Sequence, residues 1–367
     1  MNGTQATLDL DDVEGLLAAD RDGLLRAASM AGAQVRATAA AVDEGELDAL
    51  KSDQPPRTVI WVAGRGNAES AGSMLAAALG GSVAAPIVVA SEAPPWIGAL
   101  DVLIVAGDDP TDPALVAAAA TGVRRGARVV VVAPYEGPLR DATAGRSVAL
   151  APRLWVPDDY GLVRYLAAGL AALGAVDPGT RVDLSALADE LDAEAFRNSA
   201  GRELFTNPAK TLAERMSGRD VVLAGDNAAT LALARHGAAV LLRIAHEAVA
   251  AVGLADALVA LWGGMSGESG AGPESSIFHD EQIDGPMPRR VRTFVLTTGA
   301  ERAVVVERVS GLDGVDVINA EDVPEAMDAT DAPQVAAAAV TGRPEQQLAT
   351  LAVRLEMTAT YLRLVRG

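Results

Sequence analysis

The sequence predicts an α/β protein made of two tandem doubly wound domains, each a parallel sheet covered by helices in three αβα layers. Three observations carry this. Strand-like apolar runs alternate with helical stretches twice along the chain, as in parallel sheets joined by crossover helices. Residues 128–133 (RVVVVA) form a continuous β-branched run, the mark of a strand buried on both faces. Glycine-bearing turns come after the apolar runs at 59–63 and 220–224.

At 367 residues the chain is long enough for two cores. The break at Asp177-Pro178-Gly179 divides it into 1–178 and 179–367. Residues 8–50 read as two helices without chemistry, and 51–57, with Pro55-Pro56, as a connector. The stretch 58–81 organises the rest of the first half. A strand at 59–63 (VIWVA) meets the turn Gly64-Arg65-Gly66-Asn67, and a helix over 69–79 places Ala71, Met74, Leu75 and Ala78 on one face. A helix beginning straight after a glycine turn presents free N–H groups that suit an anion; the same turn also serves as a plain connector. Further strands lie at 85–89, 102–105, 128–133 and 148–151, with helices at 113–122 and 160–173. The second half repeats the plan. An acidic helix spans 184–197, a short helix comes after Asn207-Pro208-Ala209-Lys210, and a strand at 220–224 leads into a helix over 228–250. A Gly/Ser loop occupies 263–276, strands lie at 292–296, 303–307 and 315–318, and helices at 326–329 and 344–363.

Composition narrows the function classes. The net charge is −19 with acids spread along the chain, and the lysines are Lys51 and Lys210 alone. Nucleic acid and anionic membrane surfaces need clustered cations, so neither is an expected partner. Without cysteine there is no disulfide, thiolate metal site or thiol nucleophile. The N-terminus lacks a signal-peptide pattern, and the apolar region 238–262 carries Arg243, His246, Glu247 and Asp256. A cytoplasmic location is the expectation. No cofactor is expected, since the three-glycine dinucleotide fingerprint and its distal acid are absent.

These strings resemble the sugar isomerase (SIS) fold, two flavodoxin-like domains in tandem. More narrowly, the chain resembles the archaeal-type bifunctional phosphoglucose/phosphomannose isomerases and their actinobacterial TobH-like branch. The family's first glycine loop falls on Gly64-Arg65-Gly66-Asn67-Ala68, without its last glycine and serine. Its phosphate loop falls on residues 106–113, where Thr111 and Asp112 persist while Ala106 and Asp108 replace two serines. Asn207-Pro208-Ala209-Lys210-x-x-Ala213 is the most specific match. The base-bearing motif falls on His246-Glu247-Ala248-Val249-Ala250, which keeps Glu247, and a second motif falls on Phe278-His279-Asp280-Glu281. The family's Pro-Arg pair falls near Pro157-Asp158, where the arginine is absent, with Pro152-Arg153 as a looser counterpart; Tyr361-Leu362 echoes its C-terminal segment, and the terminal lysine is missing.

Aldose–ketose isomerisation moves a proton between adjacent carbons and opens the sugar ring, so it needs a base and an acid/base pair. The resemblance implies Glu247 as the base and His279 for ring opening. It implies Gly64, Arg65, Gly66, Asn67, Thr111 and Glu281 as substrate contacts, hexose 6-phosphates of mannose metabolism as substrates, and a homodimer. Asp108, Asp109 and Asp112 crowd the phosphate loop, and like charges repel a dianion. Helix capping is the expected role of Asp109 and Asp112, and coordination of a divalent cation the alternative. Two readings remain. One is an isomerase; the other is a catalytically degenerate relative that binds a sugar phosphate or a partner enzyme in a regulatory role.

Overall fold

Apolar runs bounded by glycine and proline set the strands, and the crossovers between parallel strands are helices. The computed structural model describes residues 8–52, 54–180, 183–265, 290–322 and 343–366. It divides into two compact units: Asp22–Ser199 with Pro344–Val353, and Met1–Arg21 with Ala200–Arg343 and Arg354–Gly367. Chain order opens with α1 (Val13–Ala19), α2 (Leu24–Ala28) and α3 (Ala31–Asp43). The first sheet is then laid down by β1 (Thr58–Ala63), α4 (Asn67–Leu79), β2 (Ile87–Ala90), β3 (Asp101–Ala106), α5 (Pro113–Arg124), β4 (Arg128–Val132), α6 (Gly137–Thr143) and β5 (Val148–Ala149). α7 (Leu162–Val176) and α8 (Leu184–Arg197) complete this unit. The other unit holds α9 (Pro208–Met216), β6 (Asp220–Gly225), α10 (Ala228–Ala245), β7 (Ala250–Gly253), α11 (Leu254–Trp262), β8 (Val291–Leu296), α12 (Arg302–Val309) and β9 (Val315–Ile318). The last helix is α13 (Pro344–Arg366).

The first sheet has the order β2-β1-β3-β4-β5 and every pairing is parallel. Side chains alternate across it. Ile60, Val62, Leu103, Val105, Val129 and Val131 face α5 and α6, where Leu115, Ala119 and Leu139 are buried with them. Trp61 points the other way, with its indole N–H on the Ala68 carbonyl at 3.0 Å. A Cβ at Gly72 of α4 or Gly169 of α7 would collide with its ring, so these glycines set how closely both helices approach the sheet. That gives three layers. α8 packs on α3, where Arg36 binds Asp189 at 2.6 Å and also Asp192. This contact keeps α8 in the first unit and puts the division after Ser199, where the sequence suggests Asp177-Pro178-Gly179.

The second sheet has the order β7-β6-β8-β9, again all parallel. α11 and α12 cover one face through Leu254, Leu258, Val305 and Val309. Gly237 of α10 lies against Leu223 and Leu355 on the other. α10 is long and apolar enough to cross a membrane (18 residues, mean hydropathy 1.3), and 61% of it is buried inside the protein. Between α10 and α13, His236 and Glu356 are each 1% exposed, with Nε2 and Oε1 3.3 Å apart. His236 is therefore interior.

Four elements differ from expectation. Residues 8–50 hold three helices. The helix expected over 228–250 ends at Ala245 with His246 left-handed (φ 57°), and a strand and α11 come next. Alanine-rich apolar stretches do not distinguish the two states by periodicity. Residues 303–307, valine-rich and expected as a strand, lie in α12. The parallel pairing of β8 and β9 demands a crossover there, and it overrides valine's β preference. α6 goes unpredicted. The helix expected at 326–329 and most of the 263–276 loop lie outside the described residues.

Candidate functional site

β1 and β3 are neighbours at the centre of the first sheet, and the chain leaves them towards opposite faces, α4 on the Trp61 side and α5 on the other. Such a reversal opens a crevice beyond the strands' carboxyl ends. A cleft of about 550 Å³ lies there, lined by Gly64, Arg65 and Glu69 on one side, Asp109, Asp112 and Ala114 on the other, and the end of β2.

The Gly64 amide donates to the Ala106 carbonyl at 2.7 Å and the Gly107 amide to Val132 at 3.1 Å, which carries the ladder into both loops. Gly66 has φ 72° and ψ −127°, open to glycine and strained for other residues. It stands at the start of α4 and makes no side-chain cap. Arg65 is exposed at the cleft. Asn67 is buried, and its side-chain amide donates to the Asp158 carbonyl. That bond ties α4 to the 3-10 turn Asp158–Tyr160.

The opposite wall is built from carboxylates. Thr111 donates both its hydroxyl (2.6 Å) and its amide (2.8 Å) to Asp109 Oδ1. The Thr111 hydroxyl, then its amide, and then the charge of Arg65 hold the Asp109 carboxyl below its usual range. Asp112 caps α5, accepting from the Ala114 amide at 2.8 Å, with Pro113 in the first turn. Asp108 hydrogen-bonds Asp158; burial, and after it the charge of Asp108, pushes the Asp158 carboxyl up. Nearby, Arg164 donates to the Tyr165 hydroxyl at 2.7 Å, and burial pushes that phenol up to about 12. Among the described residues no group of three or more acids and histidines is placed to hold a metal ion.

Glu247 belongs to the other unit. It sits in the connector between α10 and β7, its amide bonded to Leu241 O at 3.1 Å. α10 runs back antiparallel to the strands, so Glu247 lies at the amino-terminal edge of the second sheet, opposite the edge where the strands' carboxyl ends lie. Its carboxylate pairs with Arg366 and its side chain is 20% exposed. Beside it, His246 Nδ1 is 3.3 Å from Arg363. His279 and Glu281 lie outside the described residues. Arg153, the loose counterpart of the family arginine, pairs with Glu44 at 2.7 Å.

The best-matched motif forms a structural clasp. Asn207 caps α9, accepting from the Lys210 amide at 3.0 Å, and Pro208 fills the first turn. Lys210 is fully buried; its ammonium donates to Ala200 O (2.9 Å) and Arg202 O (2.7 Å), with the Tyr361 ring 5.6 Å away. Burial pushes the Lys210 ammonium down, and burial pushes the Tyr361 phenol up to about 12 while Asn207 counters. Sequence reasoning also passes over Asp226, which joins the end of β6 to α10 and to the segment after β8. It accepts from Thr230 (2.6 Å) and Thr297 (2.9 Å).

Paired parallel sheets of this kind define the double sugar-isomerase architecture. Solved structures of other proteins share it. The chain resembles tagatose-6-phosphate ketose/aldose isomerase from Escherichia coli at 15% identity and TM-score 0.57, covering 99% of this chain and 94% of that one. A glucose-6-phosphate isomerase-like protein from Thermus thermophilus gives 20%, 0.54, and coverage of 98% and 96%. The C-terminal domain of glucosamine-fructose-6-phosphate aminotransferase from Francisella tularensis gives 11%, 0.56, and coverage of 96% of each chain. Likeness at these identities speaks for the fold. No protein-family model and no curated protein matches the sequence.

Proposed function

We propose that this chain binds a sugar phosphate in the crevice beyond β1 and β3 and holds it without isomerising it, in a regulatory role. One observation carries the reading: the Thr111 hydroxyl, the surviving donor of the phosphate loop, is spent on Asp109. The Asp109 side of the cleft therefore offers acceptors, which suit sugar hydroxyls. Arg65 and the amino-terminal end of α4, with its positive dipole, suit the phosphate. Ligand contacts fall to Gly64, Arg65, Gly66 and the Asp109–Thr111 turn, while Asn67 acts by fixing α4. Hexose 6-phosphates are the proposed ligand class, bound by a cytoplasmic homodimer.

The alternative is turnover, with Glu247 as base and His279 opening the ring. The partly buried position of Glu247 favours it; the ion pair with Arg366 and the edge position weigh against it. The test is thermal-shift titration with glucose, fructose and mannose 6-phosphates alongside an NMR assay for interconversion. Binding without interconversion supports the proposal, and interconversion lost in Glu247→Gln supports the alternative. Neither binding nor turnover with any of the three sugars refutes both.

A further inference from the structure

A second cleft, of about 300 Å³, lies within the other unit along the edge strand β9, between α9 and α12. Arg215 and Arg302 stand on its rim, and Leu212, Val317 and Ile318 make an apolar floor. In a chain of net charge −19 this is a local excess of cations: Arg215 and Arg292 pair with the Asp316 carboxylate and Arg302 with that of Asp322, while Arg354 donates to the Asp322 backbone carbonyl. Asp316 is already held by the fork of Arg292, at 2.6 Å and 2.8 Å, and Arg215 reaches it at only 3.3 Å. Arg302 gives Asp322 a single bond at 2.9 Å. A guanidinium carries five N–H donors, and the Arg215 and Arg302 side chains are 46% and 48% exposed. Both therefore keep donors for a further acceptor.

The site is built on fixed elements. Arg354, 1% exposed, donates to the carbonyls of Asn319 (2.8 Å) and Ala320 (3.0 Å) and pins the loop after β9. Asn319 and Asp322 exchange bonds across the same loop at 2.8 Å and 2.9 Å. Neutralising two aspartates needs two arginines, and Arg215 is the third in these ion pairs.

We propose that this cleft binds a phosphoryl group, free or as a small phosphomonoester, gripped by the forks of Arg215 and Arg302. The apolar floor takes the uncharged part, and the volume is at the lower end for a small-molecule site. The proposal concerns a different unit from the sugar-phosphate crevice and stands independently of it.

Inorganic phosphate and glycerol 3-phosphate serve as probes in thermal-shift titrations, with sodium chloride at matched ionic strength as control. The wild-type chain is expected to be stabilised by either probe. Arg215→Gln and Arg302→Gln should each weaken binding about 10-fold or more. Glycerol 3-phosphate binding more tightly than phosphate identifies a monoester; equal affinity identifies the free ion. Hydrogen–deuterium exchange on the wild-type chain needs no variant, and phosphate should protect 208–216, 302–309 and 315–322. The idea is overturned if chloride stabilises as well as phosphate, if the arginine variants bind undiminished, or if protection maps to 64–69 and 107–114 instead.

Discussion

Replacing Lys210 by methionine separates a structural from a ligand-binding role for the motif that best matches the isomerase family. The ammonium is fully buried and donates to two carbonyls, Ala200 O and Arg202 O. Hydrogen bonds from a charged donor contribute about 1.5–3 kcal/mol each, and buried carbonyls left unsatisfied cost about 1–3 kcal/mol. Relief of the buried charge offsets part of that loss, so Lys210→Met should destabilise the second unit by about 2–4 kcal/mol. The pH dependence has a definite sign. Burial lowers the folded-state pKa of Lys210 below the ordinary 10.5. The unfolded chain then binds more protons in the window between the two values, and wild-type stability rises with pH there. A neutral amine keeps two N–H donors for two carbonyls, so the gap between wild type and variant should widen towards pH 10.5. Scanning calorimetry at several pH values measures both effects. Unchanged stability together with lost affinity for hexose 6-phosphates would refute the clasp and make Lys210 a ligand group.

Three further outcomes are expected. Gly72→Ala drives a Cβ into the Trp61 ring; overpacking of about 1–3 kcal/mol should exceed the alanine's helix gain of about 1 kcal/mol, giving a lower urea midpoint. The Asp158 carboxyl is pushed up by burial and by Asp108. Its folded form therefore binds the extra proton, and the stability it confers falls as pH rises from the ordinary carboxylate value through the folded one. Asp158→Asn should flatten that acid-side slope in a pH series of melting temperatures. Glu356→Ala leaves His236 buried without its neighbour and should cost about 3–5 kcal/mol, whereas the double variant His236→Leu with Glu356→Met should recover most of it in the same melts.

The strands were legible because their apolar runs are short and bounded: 59–63, 128–133 and 220–224 each fall on an observed strand. The crevice was legible for the same reason, since a glycine turn between strand and helix is a local signal. What escaped depends on distant partners. Nothing in the string 303–307 announces that β8 and β9 pair in parallel and need a helix between them. His246 turns left-handed inside an alanine-rich stretch, so β7 and α11 were hidden. Asn67 reads as a loop ligand because its acceptor, Asp158 O, is 91 positions away. The role of Lys210 stays hidden in the sequence because its backbone carbonyl partners carry no side-chain signature.

The claim at the centre is binding without turnover at the first crevice. Isothermal titration of the wild-type chain and Arg65→Gln with hexose 6-phosphates, with each mixture then read by NMR, tests it most directly. The account predicts measurable binding, weakened about 10-fold or more in Arg65→Gln, and no interconversion after long incubation. Interconversion by the wild type that Glu247→Gln abolishes, or binding indifferent to Arg65→Gln, would contradict it.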